Sequence, residues 1–452
     1  MEKRNSFIKG ALILAICGVI GKFIGALYRI PLTEIIGTEG LGLYQLVFPL
    51  YSLLLTLSSS AFPTAIAKML SQQYAGGNNG RAASIFRLCL KTISIFSLIC
   101  FVFIVVFAKT IAAVQGNENA SICYYGIAPA IIFVAFLASF RGYFQAKENM
   151  TPLAVSGLIE QVTKLVFGLV LAKLFLPRGV QYGALGALIG VSISEFVASL
   201  YVLVRYLLEP KQRLKKIYHK GEIKNIFAVT LPITLGSLIL PLSQFIDSML
   251  IVNLLKMAGY SATRATRMFG IETGIVGAIV NMPVVFSLSL SSAVLPVISR
   301  QCETDRLKVN KTINKALLLV FCMSIFFALA IFIFAPTIIS ILFGRSLNSN
   351  DFDLSCRLLR LASISVCYLS VAQITTGILN GMGKHKLPVI SLLVGGVIKL
   401  VTNVLLVQNV NFNIFGAEIA TIICYGLAAV INTIFVYKTQ NLKQKCIILS
   451  KN

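Results

Sequence analysis

The sequence predicts an all-α polytopic membrane protein of about twelve transmembrane helices in two six-helix lobes, with both termini cytoplasmic. Three observations predict it. The 452 residues are 57% hydrophobic and only 12% charged, far outside the composition of soluble domains. Apolar runs long enough to cross a hydrocarbon layer of roughly 30 Å as helices recur from Lys9 to Lys438. Landmarks in the first half of the chain also return in the second half at a nearly constant offset.

The expected spans cover residues 8–29, 41–69, 84–108, 121–146, 152–175, 183–207, 224–255, 269–299, 312–335, 354–382, 388–407 and 415–437. Their orientation follows from charge. Forty basic residues against 16 acidic ones give a net charge of +24, which in a soluble domain would suggest nucleic acid. Here the cations gather in alternate breaks: Lys3 to Lys9, Lys68 to Arg81, Lys147, Lys211 to Lys224, Arg300 to Lys311, Lys384 to Lys386 and the tail from Lys438. The intervening breaks carry few, such as Lys109, Arg178 and Arg345. The positive-inside rule therefore places the basic breaks in the cytoplasm of a multi-pass plasma-membrane protein, with no nucleic-acid partner. The first run is followed by Tyr28, Arg29 and Pro31 rather than a small-residue cleavage site, so no cleavable signal is expected.

The longest cytoplasmic break divides the spans six and six. The expected organisation is an amino-terminal lobe over residues 1–208, a basic linker over 209–223, a carboxy-terminal lobe over 224–437 and a cytoplasmic tail over 438–452. The halves resemble one another. Gly142 and Lys164 recur as Gly377 and Lys399 at an offset of 235, each pair straddling a short basic turn that leads into a proline, Pro152 or Pro388. The stretch Ser59-Ser60-Ala61-Phe62-Pro63 is echoed by Ser291-Ser292-Ala293-Val294-Leu295-Pro296, with Ser-Ser-Ala at an offset of 232 and proline at 233. Duplicated units of the same orientation are the architecture of rocking transporters, with substrate between the lobes.

Little in the sequence points to enzyme or metal chemistry. Most cysteines lie inside apolar runs and none forms a Cys-x-x-Cys pair, so neither a metal site nor a disulfide framework is expected. His219 and His385 both sit in basic cytoplasmic breaks. There is no nucleophile-base pairing, phosphate loop or paired-carboxylate motif.

Function is instead to be sought among charges inside the spans. An ionised side chain at mid-bilayer costs about 2.5 to 3.5 kcal/mol unless it has a partner, a hydrated cavity or a route to the interface. Lys22 lies thirteen residues beyond Lys9, about 20 Å along a helix, with no acid in its span. Arg29 follows one heptad later on the same face. Together they suggest a cationic wall for an anionic headgroup, the alternative being that both snorkel to the outer interface. Glu160 and Lys164 are spaced for an ion pair on one face of span five. With Gln161 and the repeat counterpart Lys399 they read either as structure or as a network for gating or headgroup binding between the lobes. Asp247 and Glu195 are lone intramembrane acids, candidates for binding a coupling proton or cation or for pairing with a neighbouring lysine. Gly18, Gly21 and Gly25 place small residues beside Lys22, allowing close helix contact or a bend.

The motifs Gly21-Lys22-Phe23-Ile24-Gly25-Ala26-Leu27-Tyr28-Arg29, Ile36-Gly37-Thr38-Glu39-Gly40-Leu41-Gly42, Phe62-Pro63-Thr64-Ala65 and Phe140-Arg141-Gly142-Tyr143-Phe144-Gln145-Ala146 resemble the stage V sporulation protein B group of polysaccharide transporters. Glu160-Gln161, Asn281-Met282-Pro283 and Leu295-Pro296-Val297 continue the pattern. That group belongs to the multidrug/oligosaccharidyl-lipid/polysaccharide exporter superfamily, alongside the MurJ lipid II flippases. The resemblance implies flipping of an undecaprenyl-pyrophosphate-linked saccharide to the outer leaflet for cell-wall or spore-cortex synthesis. It implies Lys22 as a cavity cation and no cofactor, with a proton, sodium or the membrane potential as coupling candidates and wall-synthesis enzymes as candidate partners. MurJ relatives have fourteen spans, the last pair holding the lipid tail, so that groove is expected to be absent here or built otherwise. They also place arginines in stretches that here lack basic residues, before Lys68 in span two and from Met268 to Val297. A drug or cation antiporter of the same fold would rely on Asp247 and Glu195 instead. A non-transporting scaffold for wall synthesis would need the basic breaks and not the intramembrane charges.

Overall fold

The computed structural model describes residues 13, 16–21, 23–60, 62–209, 230, 234, 237–304 and 306–449. Among these there are helices and turns and no β-strand. A first helical stretch over residues 16–27, of which Lys22 is not described, leads into α1 (Arg29–Leu55). The first half continues with α2 (Phe62–Ala75), α3 (Asn79–Val114), α4 (Ala120–Ala146), α5 (Thr151–Phe175) and α6 (Val180–Leu207). Then come α7 (Ile239–Met257), α8 (Ala262–Gly270), α9 (Gly277–Thr304), α10 (Arg306–Phe343), α11 (Ser349–Gly381), α12 (Lys386–Val407) and α13 (Asn413–Leu449).

Eleven helical runs among the described residues are long and apolar enough to cross a membrane. The first, Ile16–Ala75, has 60 residues, about 90 Å of α-helix. It is interrupted at Gly37, whose φ of 69° and ψ of −179° lie outside the helical region and suit glycine. It therefore holds two crossings, and the total is the twelve expected. A π-helical turn at Thr56–Ser60 precedes Pro63. Proline lacks the N–H that would bond the Ser59 carbonyl, and the turn widens just upstream of that gap. Of the expected linker only Glu209 is among the described residues, and α13 carries the helix into the expected tail as far as Leu449.

The chain forms two compact units, Met1–Met249 and Leu250–Asn452. Each is built on the same plan. In the first, the core joins Phe62 and Ile66 of α2, Phe86 and Ile93 of α3, Phe140 and Phe144 of α4, and Val202 of α6. In the second it joins Val294 and Ile298 of α9, Ile313 and Val320 of α10, Ile374 and Ile378 of α11, and Val436 of α13. These are the second, third, fourth and sixth spans of each half, so the duplication read from sequence is also a duplication of core packing. One repeated glycine shows why its residue type is needed. A Cβ on Gly142 would lie 2.9 Å from the Pro63 backbone, and one on Gly377 would lie 2.9 Å from the Ser291 carbonyl. In both halves the fourth span packs backbone to backbone on the second.

The outward faces are apolar. Leu98, Val102 and Val106 on α3 and Leu318, Phe326, Leu329 and Ile333 on α10 are all exposed at helical spacing. In water such stripes would be unfavourable, whereas in a bilayer they meet acyl chains and leave each helix's backbone polar groups internally bonded.

Candidate functional site

The short turn over residues 147–150 joins α4 to α5 as a helical hairpin, with Glu148 at a φ of 60°. Reversal of direction puts Arg141, five residues before the end of α4, beside the first turns of α5. There the Arg141 Nε donates to Ser156 Oγ at 3.0 Å and its Nη2 meets Glu160 Oε2 at 3.2 Å. Gln161 Nε2 donates to the other carboxylate oxygen, Oε1, at 3.0 Å. Glu160 is thus held from both sides, and its ion pair is with Arg141 rather than with Lys164, the partner that helical spacing suggests.

These side chains form one wall of a cavity of about 410 Å³. Arg141, Glu160 and Gln161 line it on the α4–α5 side, and Gly18, Gly21 and Gly25 of the first helical stretch line it opposite. The glycines matter sterically. A Cβ on Gly25 would come within 3.1 Å of Gln161 Oε1 and 3.8 Å of Lys164 Nζ. Lys164, one turn beyond Glu160, therefore places its ammonium next to the cavity's glycine wall. The same ammonium lies 5.9 Å from the centre of the Tyr28 ring, within cation–π range. Its charged neighbours are Glu160, Glu195 and Arg29. Glu195, on α6 and 6% exposed, receives a long hydrogen bond of 3.5 Å from the Tyr51 hydroxyl on α1. The two helices bearing Lys164 and Glu195 approach closely because Gly186 and Gly190 of α6 face the α5 backbone at Leu171 and Gly168.

Four of the residues singled out in the sequence, Arg29, Glu160, Lys164 and Glu195, thus share one charged neighbourhood in the first unit, and Gln161 lines the adjoining cavity. Lys22 lies outside the described residues. Asp247, buried on α7, is not among the charged groups around Lys164 or Glu195. Its neighbour Ser248 accepts a hydrogen bond from Gln115, which also donates to the Leu46 carbonyl and accepts from the Tyr124 hydroxyl. Lys399 lies on α12 of the second unit, with Glu418 of α13 as a charged neighbour.

Sequence reasoning gave no role to Arg141, Ser156, Tyr51 or Glu418. The internal repeat held the signal for the first. At the offset of 235, Arg141 corresponds to Thr376, Ser156 to Ser391, Glu160 to Gly395 and Gln161 to Gly396. In the second unit Ser391 donates to Asn432 Oδ1 at 2.6 Å and Asn432 Nδ2 donates to Thr376 Oγ1 at 3.2 Å. Gly395 there packs against the Cys424 carbonyl. At these positions the first unit sets Arg141 and Glu160 beside a cavity, and the second sets Thr376 and two glycines.

At the end marked cytoplasmic by the basic breaks, Glu209 accepts from Tyr143 and Lys147, and Lys147 stacks 4.6 Å over the Tyr143 ring. This ties the end of α6 to the hairpin that carries Arg141.

A family model described as "Polysaccharide biosynthesis protein" matches residues 7–302, and one described as "MatE" matches residues 232–405. The stage V sporulation protein B of Bacillus subtilis (strain 168) is 29% identical over 76% of this chain and 68% of its own length. The lipid II flippase MurJ of the same organism is 25% identical over 93% of this chain and 80% of its own. Among solved structures, an inward-facing MATE multidrug transporter of the MOP superfamily superposes with a TM-score of 0.78 at 16% identity, covering 96% of this chain and 99% of that one. The lipid II flippase MurJ in an inward closed conformation superposes with a TM-score of 0.74 at 14% identity, covering 94% and 87%.

Proposed function

This chain belongs to the polysaccharide biosynthesis protein family, and on that premise we propose that it is a flippase for an undecaprenyl-pyrophosphate-linked saccharide. It is a multi-pass plasma-membrane transporter of the MOP superfamily, not an enzyme. The finer reading concerns what it carries, and one observation carries it: Arg141 lines the 410 Å³ cavity of the first unit, and Lys164 sets its ammonium 3.8 Å from the Cβ position of the lining Gly25, with Arg29 as a charged neighbour. Arg29, Arg141 and Lys164 outnumber the two acids Glu160 and Glu195. A diphosphate diester brings two negative charges and several acceptor oxygens. The Arg141 fork, set in place by Ser156, suits such a group, and Lys164 supplies a point charge beside it.

In this reading the diphosphate competes with Glu160 for Arg141, the saccharide occupies hydrated space, and the prenyl tail stays among acyl chains. The duplicated units rock to present the headgroup on the outer face, where wall-synthesis enzymes consume it. The names of the two relatives, a sporulation protein and a lipid II flippase, support a saccharide used in wall or cortex synthesis.

The test is leaflet accessibility of labelled polyprenyl-diphosphate sugars in proteoliposomes, comparing wild type with Arg141→Ala. Transfer that depends on Arg141 supports the proposal. Absence of transfer for any lipid-linked sugar, by folded wild-type protein, refutes it.

A further inference from the structure

Glu195 has no task in the headgroup site as described. It projects from α6 and is 6% exposed. Its Oε1 receives the 3.5 Å contact from Tyr51, and its Oε2 has no hydrogen-bond partner among the described residues. The groups facing it are Tyr51 of α1, Glu160 and Lys164 of α5, and Arg141 of α4. A carboxylate in such surroundings stays ionised only while nearby cations compensate it, because a buried uncompensated charge is expensive. Lys164 is one of those cations, and its Nζ lies 3.8 Å from the Cβ position of Gly25, which lines the cavity. One ammonium therefore serves two anionic partners, a fixed carboxylate on its buried side and a ligand on its cavity side.

We infer that Glu195 is a proton-binding site coupled to anion binding in the cavity through Lys164. The inference rests on the reading of the cavity as a diphosphate site. A diphosphate that draws Lys164 and Arg141 toward itself withdraws the charge that compensates Glu195, and the carboxylate then takes a proton from hydronium of the bulk water. One O–H bond forms on the carboxylate and one O–H bond of hydronium breaks, leaving water. Linkage makes the effect reciprocal: a protonated Glu195 leaves Lys164 free for the ligand, so the anion binds more tightly at low pH. A proton fits this place better than a metal ion. Lys164 and Arg141 would repel a metal cation, and no group of three or more His, Cys, Asp or Glu side chains able to hold one occurs among the described residues.

The sign follows from the two states. With the anion bound, Glu195 has the higher proton affinity; without it, the lower. Affinity for the anion is therefore constant at acid pH, falls through the interval between the two titrations, and levels off above it.

The experiment uses full-length protein in nanodiscs and a short-chain prenyl diphosphate sugar, a diester diphosphate whose own charge is constant across about pH 5.5 to 9. Wild-type affinity should fall by about tenfold per pH unit within part of that range. Glu195→Gln should bind with the acid-limit affinity at every pH, and Lys164→Met should bind weakly with little pH dependence. A Glu195→Gln profile that keeps the wild-type slope overturns the inference. The wild-type profile also stands without any variant: retained binding with no slope overturns it. Failure of wild type to bind at any pH has a different meaning, since it removes the cavity's diphosphate reading itself and the coupling with it.

Discussion

Arg141→Ala perturbs the candidate site most directly, and the structure sets the size of two separate effects. The first is on stability. The Arg141 and Glu160 side chains are 26% and 20% exposed, between the surface case, where a pair contributes about 0 to 1 kcal/mol, and the buried case, where breaking one costs about 3 to 5. Loss of about 1 to 2 kcal/mol is expected, and Glu160 keeps the hydrogen bond from Gln161 at 3.0 Å. The second effect is on transport. A hydrogen bond to a charged group is worth about 1.5 to 3 kcal/mol, which converts to a roughly ten- to hundredfold fall in transfer rate at low substrate. Arg141→Lys separates charge from geometry. The guanidinium reaches Ser156 and Glu160 at once through two nitrogens, and a single-nitrogen ammonium cannot form that fork. The assay is initial flipping of a labelled lipid-linked sugar, with thermal unfolding in detergent alongside it. The double variant Arg141→Ala, Glu160→Ala should regain stability without regaining transport. Wild-type flipping by Arg141→Ala, or restored flipping in the double variant, would refute the reasoning.

Three further outcomes are expected. Lys22→Ala should abolish complementation of a flippase-deficient strain at normal protein levels, from its unpaired depth in the sequence of span one, and preserved complementation would remove it from the site. Gly190→Ala should destabilise by about 1 to 3 kcal/mol through overpacking against the α5 backbone at Gly168, whereas Gly18→Ala, with nothing within 4 Å of the added carbon, should leave the melting temperature unchanged. Arg264→Ala should lower the melting temperature by the equivalent of about 1 to 2 kcal/mol, because the partly exposed Arg264 pairs at 2.6 Å with Asp351, which is 2% exposed; Asp351→Asn in the same background should recover part of the loss.

The membrane architecture was legible because it rests on properties that composition and spacing carry directly. Long apolar runs, cations in alternate breaks and a repeat offset of 235 each survive without knowledge of the fold. The acids and lysines in spans five and six were legible for a similar reason, since a charge in an apolar run stands out. Arg141 did not stand out. It lies five residues from the end of α4, where an arginine reads as an interface residue, and its role arises only when the hairpin turns α5 back alongside it. The same non-locality explains Glu160. Helical spacing supplies Lys164 as a partner four residues away, but the fold supplies Arg141 from another helix, already held by Ser156. Tyr51 and Glu195, 144 residues apart, meet only through the packing of α1 on α6.

The duplication offers a control that a single-copy fold lacks. Positions that both units use alike report what the fold requires, and positions where they differ report something else. Gly142 and Gly377 both lie against the backbone of the second span of their half, and Ser156 and Ser391 are both buried hydroxyls with side-chain hydrogen bonds. Around those serines the units diverge. The second unit satisfies the place with Thr376 and Asn432, neutral groups at hydrogen-bond distance, and packs Gly395 on α13. The first unit sets Arg141 and Glu160 in the corresponding positions and leaves a cavity beside them. Since a neutral set suffices for folding, the fold does not require the ion pair. Charges in a partly dehydrated site carry a desolvation cost that the neutral set avoids. An anionic ligand that engages Arg141 and Lys164 offsets that cost, which makes the difference between the two units an argument for function rather than for stability.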